Sequence, residues 1–296
     1  MFMKSLKTLV AGAALSAGIA TGAAAEAIVV GGKNFTEQQL LSAITEQLLE
    51  AKGFDADNRS GMGSAALRQA MESGQIDVYW EYTGTSLITY NKVEEKLDAA
   101  ATYDKVKELD AAVGIVWLDA SSANNTYALA MRKTDAVEKG LVTLTDLAAR
   151  VNGKGDLTLG SNAEFYARPD GLKPLQAAYA FDFGRSNVKR MDSGLVYEAL
   201  KNGDVNVGLV FATDGRIPAF DFVILTDDKG YFPAYALAPV IRAEVLEKHP
   251  ELADLLNAVS AKLNDEVMAG LNARVDVEKV SIENVATDFL NSSGLI

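Results

Sequence analysis

Apolar residues along the chain switch repeatedly between strand-like and helix-like spacing. The segment "AIVVGGKNFTEQQLLSAITEQLLEAKGF" (27–54) opens with a short β-branched run and turns at two glycines. It then places apolar residues at intervals of three and four up to Gly53. Further units of this kind lead into "IDVYW" (76–80) and continue beyond "GIVW" (114–117). Strands that alternate with helices predict an α/β fold, with largely parallel sheets flanked by helices.

Two segments of the chain share a similar sequence pattern. "LRQAMESGQIDVYWEYTGT" (67–85) and "VYEALKNGDVNVGLVFATDG" (196–215) both read helix, glycine turn, strand, aromatic residue, then threonine and glycine. Two lobes built alike would explain this echo. Since no Pro/Gly-rich linker separates the blocks, we expect the chain to change lobe inside the strand-like segments 118–127 and 228–236.

The predicted organisation therefore has four parts. Residues 26–123 form the first part of lobe I, 124–232 form lobe II, and 233–296 return to lobe I with a mostly helical tail. Residues 1–25 stand apart, because Lys4 and Lys7 precede a short apolar stretch that ends in Ala23-Ala24-Ala25. The apolar stretch is shorter than the roughly 20 residues of a spanning helix, so we expect a cleaved secretory signal peptide.

Composition narrows the function classes. Without residues 1–25, which hold two lysines and no acid, 26 basic residues face 40 acidic ones, a formal net charge of −14. So acidic a chain argues against nucleic acid and anionic membrane surfaces as partners. The absence of cysteine excludes a lipoprotein anchor and a thiol nucleophile, so we expect a periplasmic monomer without a membrane anchor. With His249 as the single histidine, a His/Cys zinc site cannot be assembled, and we expect no cofactor.

Polar and aromatic residues gather where strands end. Lys33 follows the first strand and precedes a helix, where Thr36 and Gln39 have capping-box spacing. A lysine beside a helix N-terminus suits a carboxylate ligand, although a surface lysine near a cap is the alternative. The aromatic residues at loops could each simply pack in the core. Together they could form a box of π faces for a cation that cannot accept hydrogen bonds, such as a quaternary ammonium group. These four aromatic residues are Tyr82, Tyr127, Phe211 and Tyr235.

A series of motifs carries a family resemblance. "GGKNFTEQQLL", "IDVYWEYTGT", "NNTYAL", "EFYARPDGL", "ATDGRI" and "FPAYALAPV" occur in order over the whole chain after residue 25. This series resembles the glycine betaine/choline-binding subunits of osmoprotectant ABC importers. The resemblance implies a two-lobed type II periplasmic-binding fold, each lobe a mixed, mostly parallel sheet flanked by helices, with the ligand cleft between the lobes.

The resemblance also assigns roles to residues. It implies an aromatic cage for the trimethylammonium head, formed by Tyr82, Tyr127, Phe211 and Tyr235, and carboxylate contacts from Lys33, Thr85 and Arg168. Phe211 departs from the family, where many members have tyrosine, so a hydroxyl is lost there. Gly84 is expected to permit the tight turn between Tyr82 and Thr85. If Arg168 braces Asp170 instead of binding a carboxylate, choline becomes as good a candidate as glycine betaine.

The function expected from the sequence is capture of a quaternary ammonium osmolyte, with glycine betaine first and choline next. The partners would be the permease and ATPase subunits of an ABC importer. A sensor or scavenger of the same fold that docks on a receptor is an alternative, as is an importer subunit for another small solute. An enzyme using Glu81, Glu164 or Asp214 has no nucleophile, metal set or cofactor loop to support it.

Overall fold

The computed structural model of the protein describes residues 27–296, so the predicted signal peptide lies outside the described residues. Within this range no helix has the length and apolar character needed to cross a membrane. The elements follow the chain in this order: β1 (Ile28–Lys33), α1 (Thr36–Ala51), β2 (Ala56–Met62), α2 (Ser64–Glu72), β3 (Val78–Tyr82), a π-helix (Thr85–Tyr90), α3 (Ala99–Ala111), β4 (Ile115–Trp117), β5 (Tyr127–Arg132), α4 (Lys133–Lys139), α5 (Leu144–Lys154), β6 (Leu159–Ser161), α6 (Ala163–Ala167), α7 (Leu172–Tyr179), a 3₁₀ helix (Arg185–Asn187), β7 (Val188–Arg190), α8 (Ser193–Asn202), β8 (Val207–Phe211), α9 (Arg216–Ala219), β9 (Phe222–Ile224), β10 (Leu237–Arg242), α10 (Ala243–Lys248), α11 (Glu251–Ser260), α12 (Asp265–Asp276) and α13 (Ile282–Ser292).

The strands form two sheets with the same layout. The first has the order β2-β1-β3-β10-β4 and the second β7-β6-β8-β5-β9. In each sheet the first three strands pair in parallel, and the last two join through antiparallel pairs. Only β10 in the first sheet and β5 in the second run against the other four strands, so the expectation of mixed, mostly parallel sheets is confirmed. The echoed stretches become α2–β3 and α8–β8, which occupy equivalent places, as two lobes built alike require.

The central strands of each sheet are buried on both faces, and successive side chains along a strand point to opposite faces. In β3, Val78 packs with Leu49 of α1 and Leu256 of α11, whereas the next residue, Tyr79, packs against Leu67 of α2 and Val106 of α3. In β8, neighbouring residues likewise divide between the α5 side and the α8 side. The helices on both faces exclude water from the central strands, so the loops at the strand ends are left to form a site.

The chain crosses between the sheets twice, after Trp117 and again after Ile224. The two connections pair with each other through an antiparallel bridge between Asn124 and Ala236. The Asn125 N–H also donates to the Tyr235 carbonyl at 3.2 Å. The predicted lobe boundaries at 123/124 and 232/233 fall within these connections and stay a prediction.

A buried aspartate fixes the π-helix that follows β3. Asp110 of α3 is fully buried and accepts two hydrogen bonds from the guanidinium of Arg68, at 2.8 and 3.0 Å. It also accepts from Ser86 of the π-helix at 2.8 Å and from the indole of Trp117 at 2.7 Å. The Arg68 partner and the other hydrogen bonds hold the pKa of Asp110 below its usual value against the opposing effect of burial.

Replacement of Asp110 by alanine should therefore destabilise the protein strongly. It leaves the buried Arg68 charge without its main partner, and losing one partner of a buried ion pair costs about 3–5 kcal/mol. The measurement is the free energy of unfolding in urea. The matched control is Glu108→Ala on the same helix, whose side chain is 69% exposed and pairs with the exposed Lys105. That variant should stay within about 0.5 kcal/mol of wild type. Similar losses for the two variants would contradict the anchoring role.

Candidate functional site

The ends of the strands of both sheets meet around a small cavity of about 30 Å³. All seven residues predicted to bind the ligand line this cavity: Lys33, Tyr82, Thr85, Tyr127, Arg168, Phe211 and Tyr235. A wider cleft of about 1060 Å³ shares part of this wall and is also lined by both lobes. The structure thus brings together residues that lie up to two hundred positions apart. Their roles in ligand binding stay a prediction.

The aromatic rings of the site are in mutual contact. Tyr127 of β5 and Phe211 of β8 are directly opposed in an antiparallel pair, and their ring centroids lie 5.4 Å apart. Tyr235 meets Tyr127 nearly at right angles at 5.5 Å. Phe35, which the sequence reasoning missed, stacks on Phe211 at 5.3 Å and faces Tyr82 at 6.3 Å. The one sequence signal for a role of Phe35 in the site is its position in "KNFTEQ", between β1 and α1.

Lys33 is buried and already paired. Its Nζ donates to Glu81 Oε1 at 2.5 Å, and Glu81 also accepts from the Tyr82 N–H at 2.7 Å and from the Tyr79 hydroxyl at 3.0 Å. The ammonium group lies 4.8 Å from the centroid of the Tyr82 ring. The Lys33 charge is therefore balanced by Glu81 inside the protein. Its ammonium group also packs over the Tyr82 ring.

Arg168 braces Asp170, which is the alternative that the sequence left open. Its Nε and Nη2 each donate to the Asp170 carboxylate at 2.7 Å. Nη1 is directed instead toward Thr85 Oγ1 at 3.3 Å and Glu164 Oε1 at 3.2 Å. The Tyr235 hydroxyl donates to Asp170 Oδ2 at 2.5 Å, and burial together with the nearby Asp170 charge keeps the pKa of Tyr235 well above 10, so this hydroxyl stays protonated.

Glu37, in the first turn of α1, is the second residue that the sequence reasoning missed. The residue is 3% exposed, and its carboxyl group accepts four hydrogen bonds. Tyr82 Oη and Asn125 Nδ2 donate to Oε1, both at 2.7 Å, while Thr213 Oγ1 and Asn272 Nδ2 donate to Oε2 at 2.5 and 3.1 Å. Burial raises the pKa of Glu37, and the hydrogen bonds partly offset this. Nothing in the sequence marks one glutamate of an amphipathic helix as the meeting point of four segments.

Two local expectations are wrong. The capping box at Thr36 and Gln39 does not form, because α1 begins at Thr36 with Phe35 as its N-cap, and Thr36 Oγ1 donates to Asp276 Oδ1 at 2.8 Å. Gly84 is not needed for a tight turn, since its φ of −63° suits any residue. A Cβ at Gly84 would instead lie 2.8 Å from the Ala234 carbonyl oxygen and from the Tyr235 ring. Glycine is required there for close approach of the chain.

No group of three or more His, Asp or Glu side chains within residues 27–296 is arranged to hold a metal ion.

The stability of the protein should carry a pH signature from Glu37. Its pKa is raised above 4.5 in the folded state, so the folded chain binds this proton more tightly than the unfolded chain. The contribution of Glu37 is then fully present below pH 4.5 and is lost as the pH rises through the raised pKa. We expect the difference in unfolding free energy between wild type and Glu37→Gln to favour wild type most at low pH and to fall as the pH rises. Urea denaturation at a series of pH values measures it, and a difference that is flat or grows with pH would contradict the assignment.

Comparison with known proteins places the chain in a family. The model of the "substrate binding domain of ABC-type glycine betaine transport system" matches residues 26–292. A glycine-betaine-binding protein of Pseudomonas aeruginosa is 47% identical over 280 residues, covering 93% of this chain and 90% of that protein. The glycine betaine-binding protein YehZ of Escherichia coli is 34% identical over 280 residues, covering 92% of each.

A solved structure described as a glycine betaine/carnitine/choline ABC transporter supports the same placement. It is 29% identical, has a TM-score of 0.73, and the match covers 90% of this chain and 99% of that one. The predicted two-lobed type II periplasmic-binding fold is confirmed. The chain belongs to the family of substrate-binding domains of ABC-type glycine betaine transport systems.

Proposed function

We propose that the protein captures a quaternary ammonium solute in the periplasm and delivers it, as a monomer, to the permease and ATPase subunits of an ABC importer. Glycine betaine is the first ligand and choline the next. The observation that carries this proposal is the meeting of five aromatic rings around one cavity at the junction of the two lobes. The glycine betaine-binding relatives support the order of ligands.

The rings suit a cation without hydrogen-bond donors. Phe35 and Tyr82 come from the first lobe, Tyr127 and Phe211 from the second, and Tyr235 from the connection between them. Each cation–π contact contributes roughly 0.5–2 kcal/mol, more when water is excluded, so several such contacts give useful affinity for a small solute. Closing the lobes then brings rings from both sides onto one trimethylammonium group.

The lobes have to separate to admit this ligand. The cavity of about 30 Å³ has room for about one water molecule, which is less than a trimethylammonium group occupies. Several contacts bridge the lobes and break on opening, among them Glu37 to Thr213 at 2.5 Å, Ser64 to Glu164 at 2.9 Å, and Arg216 to Asp276 at 3.2 Å. A ligand shifts this equilibrium only through its higher affinity for the state that binds it.

The other end of the ligand meets Arg168 and Thr85. Because Asp170 holds Nε and Nη2, Nη1 is the nitrogen that a ligand carboxylate would reach, beside the Thr85 hydroxyl and in place of Glu164 Oε1, which lies 3.2 Å away. Glycine betaine fits this pair with its carboxylate. Lys33 and Arg168 are each paired with an acid of the protein, so their charges are balanced without a ligand carboxylate. Choline, which has no carboxylate, is therefore the next candidate after glycine betaine. A receptor-docking sensor of the same fold stays an alternative to import.

The function is tested first by isothermal titration of the purified protein with glycine betaine, choline and glutamine. We expect saturable binding of a quaternary ammonium solute and no binding of glutamine, because glutamine offers a primary ammonium with hydrogen-bond donors that the rings cannot satisfy. Absence of binding by both quaternary ammonium solutes would refute the proposed ligand class while leaving the fold in place.

Substitutions at Phe211 distinguish the contribution of an aromatic face to binding from the contribution of side-chain volume. Phe211→Leu removes the π face but keeps an apolar side chain, so we expect affinity for the quaternary ammonium ligand to fall by about 0.5–2 kcal/mol. The matched variant Phe211→Tyr keeps the face and should bind within about threefold of wild type. Titration of both variants is the measurement, with thermal unfolding as the check on folding. Equal binding by the leucine and tyrosine variants would remove Phe211 from the cage.

A further inference from the structure

We propose that Glu164 determines how the site chooses between zwitterionic and cationic quaternary ammonium solutes. Its carboxylate occupies the hydrogen-bonding position that a ligand carboxylate needs, so it lowers the affinity for glycine betaine relative to the affinity for choline. This inference rests on the proposed function and adds a residue that sets the margin between its two ligands.

Glu164 is an acid at the wall of the binding cavity. It lies in α6 and lines both the small cavity and the wider cleft. Of the described residues that line the small cavity, it is the one with an acidic side chain. Its side chain is 35% exposed, so a solute in the cleft can reach it.

Two donors from opposite lobes hold the Glu164 carboxylate. Arg168 Nη1 donates to Oε1 at 3.2 Å, and the hydroxyl of Ser64, the first residue of α2, donates to Oε2 at 2.9 Å. Asp170 already accepts from Nε and Nη2 of the same guanidinium, each at 2.7 Å. Glu164 therefore occupies the nitrogen that Asp170 leaves for a ligand carboxylate.

The negative charge of Glu164 adds to a site whose two basic residues are already paired. Arg168 forms an ion pair with Asp170, and Lys33 forms one with Glu81. The additional carboxylate attracts a ligand of net positive charge and repels a ligand carboxylate placed beside it. Glu164 therefore favours cations at the end of the site where the proposed function puts the ligand carboxylate.

Glycine betaine and choline differ at this end. Glycine betaine is zwitterionic, so its carboxylate has to displace Glu164 Oε1 from Arg168 Nη1. Choline carries a hydroxyl and a net positive charge, so it leaves this contact in place and gains from the Glu164 charge. Glu164→Gln keeps the size of the side chain and an oxygen that can accept a hydrogen bond, and it removes the charge. The substitution should therefore act on the two ligands in opposite directions.

Asp192 supplies a matched control. It is an exposed acid that lines the wider cleft but not the small cavity. Asp192→Asn changes the net charge of the protein by the same amount as Glu164→Gln, without changing the wall of the small cavity. It therefore measures the effect of a general change of charge in the cleft.

The experiment is isothermal titration of purified wild type, Glu164→Gln and Asp192→Asn with glycine betaine and choline, with thermal unfolding as the check on folding. We expect Glu164→Gln to raise the ratio of glycine betaine affinity to choline affinity by about fivefold or more, since each of two opposed effects of a partly exposed charge changes an affinity by up to about fivefold. Asp192→Asn should leave this ratio within about twofold of wild type, because solvent and salt screen an exposed charge.

A second variant tests the same contact from the other lobe. Ser64→Ala removes the hydroxyl that donates to Glu164 Oε2, so Glu164 leaves Arg168 more easily when a ligand carboxylate arrives. The affinity ratio should therefore rise in the same direction as in Glu164→Gln, by a smaller factor.

An unchanged ratio in Glu164→Gln and Ser64→Ala would overturn the inference, and so would an equal rise in Asp192→Asn. A lower ratio in Glu164→Gln would assign Glu164 the opposite role, that of holding Arg168 in place for the ligand carboxylate. Absence of binding of both ligands by wild type would instead refute the proposed function, and this inference with it. Binding by wild type with no change of ratio in the variants refutes the role of Glu164 alone.

Discussion

The buried carboxyl group of Glu37 is the interaction on which the arrangement of the site depends. It receives hydrogen bonds from Tyr82 at the end of β3, from Asn125 in the first connection, from Thr213 after β8, and from Asn272 of α12. These segments belong to both lobes and to the junction between them. A buried acid is costly unless its oxygens are hydrogen-bonded, so the four donors have to assemble around Glu37 together. The orientation of the Tyr82 ring is thereby tied to the approach of the second lobe.

Pairing of buried charges governs the rest of the site. Lys33 is neutralised by Glu81, and Arg168 by Asp170, each with short hydrogen bonds. Because an unpaired buried charge is strongly destabilising, the protein supplies its own partners before any ligand arrives. A zwitterionic ligand then meets a site whose local charges are already balanced. In the proposed function, recognition therefore rests mainly on the aromatic faces.

The matching layout of the two sheets explains why these groups can meet at all. The strands β3 and β8 hold the same central place in their sheets, each after a helix that starts at the cleft. Their ends carry Tyr82 and Phe211, so each lobe presents an aromatic residue to the cavity. The paired connections between the lobes add Asn125 and Tyr235 at the junction. The cavity is therefore lined by both lobes and by the two segments that connect them.

The sequence by itself determined the elements and the chemical character of the site. Periodicity located the strands and helices, and the ordered motifs picked out the seven residues that line the cavity, because such local patterns are set by neighbouring residues. It did not reveal that Glu81 would pair with Lys33, that Phe35 would stack on Phe211, or that Glu37 would collect four donors. Gly84 makes the same point, since its role is close approach to residues about 150 positions away and not the turn it sits in. Only the tertiary structure decided these contacts, because they join segments far apart in the chain, and burial and pairing take effect only once those segments are packed together.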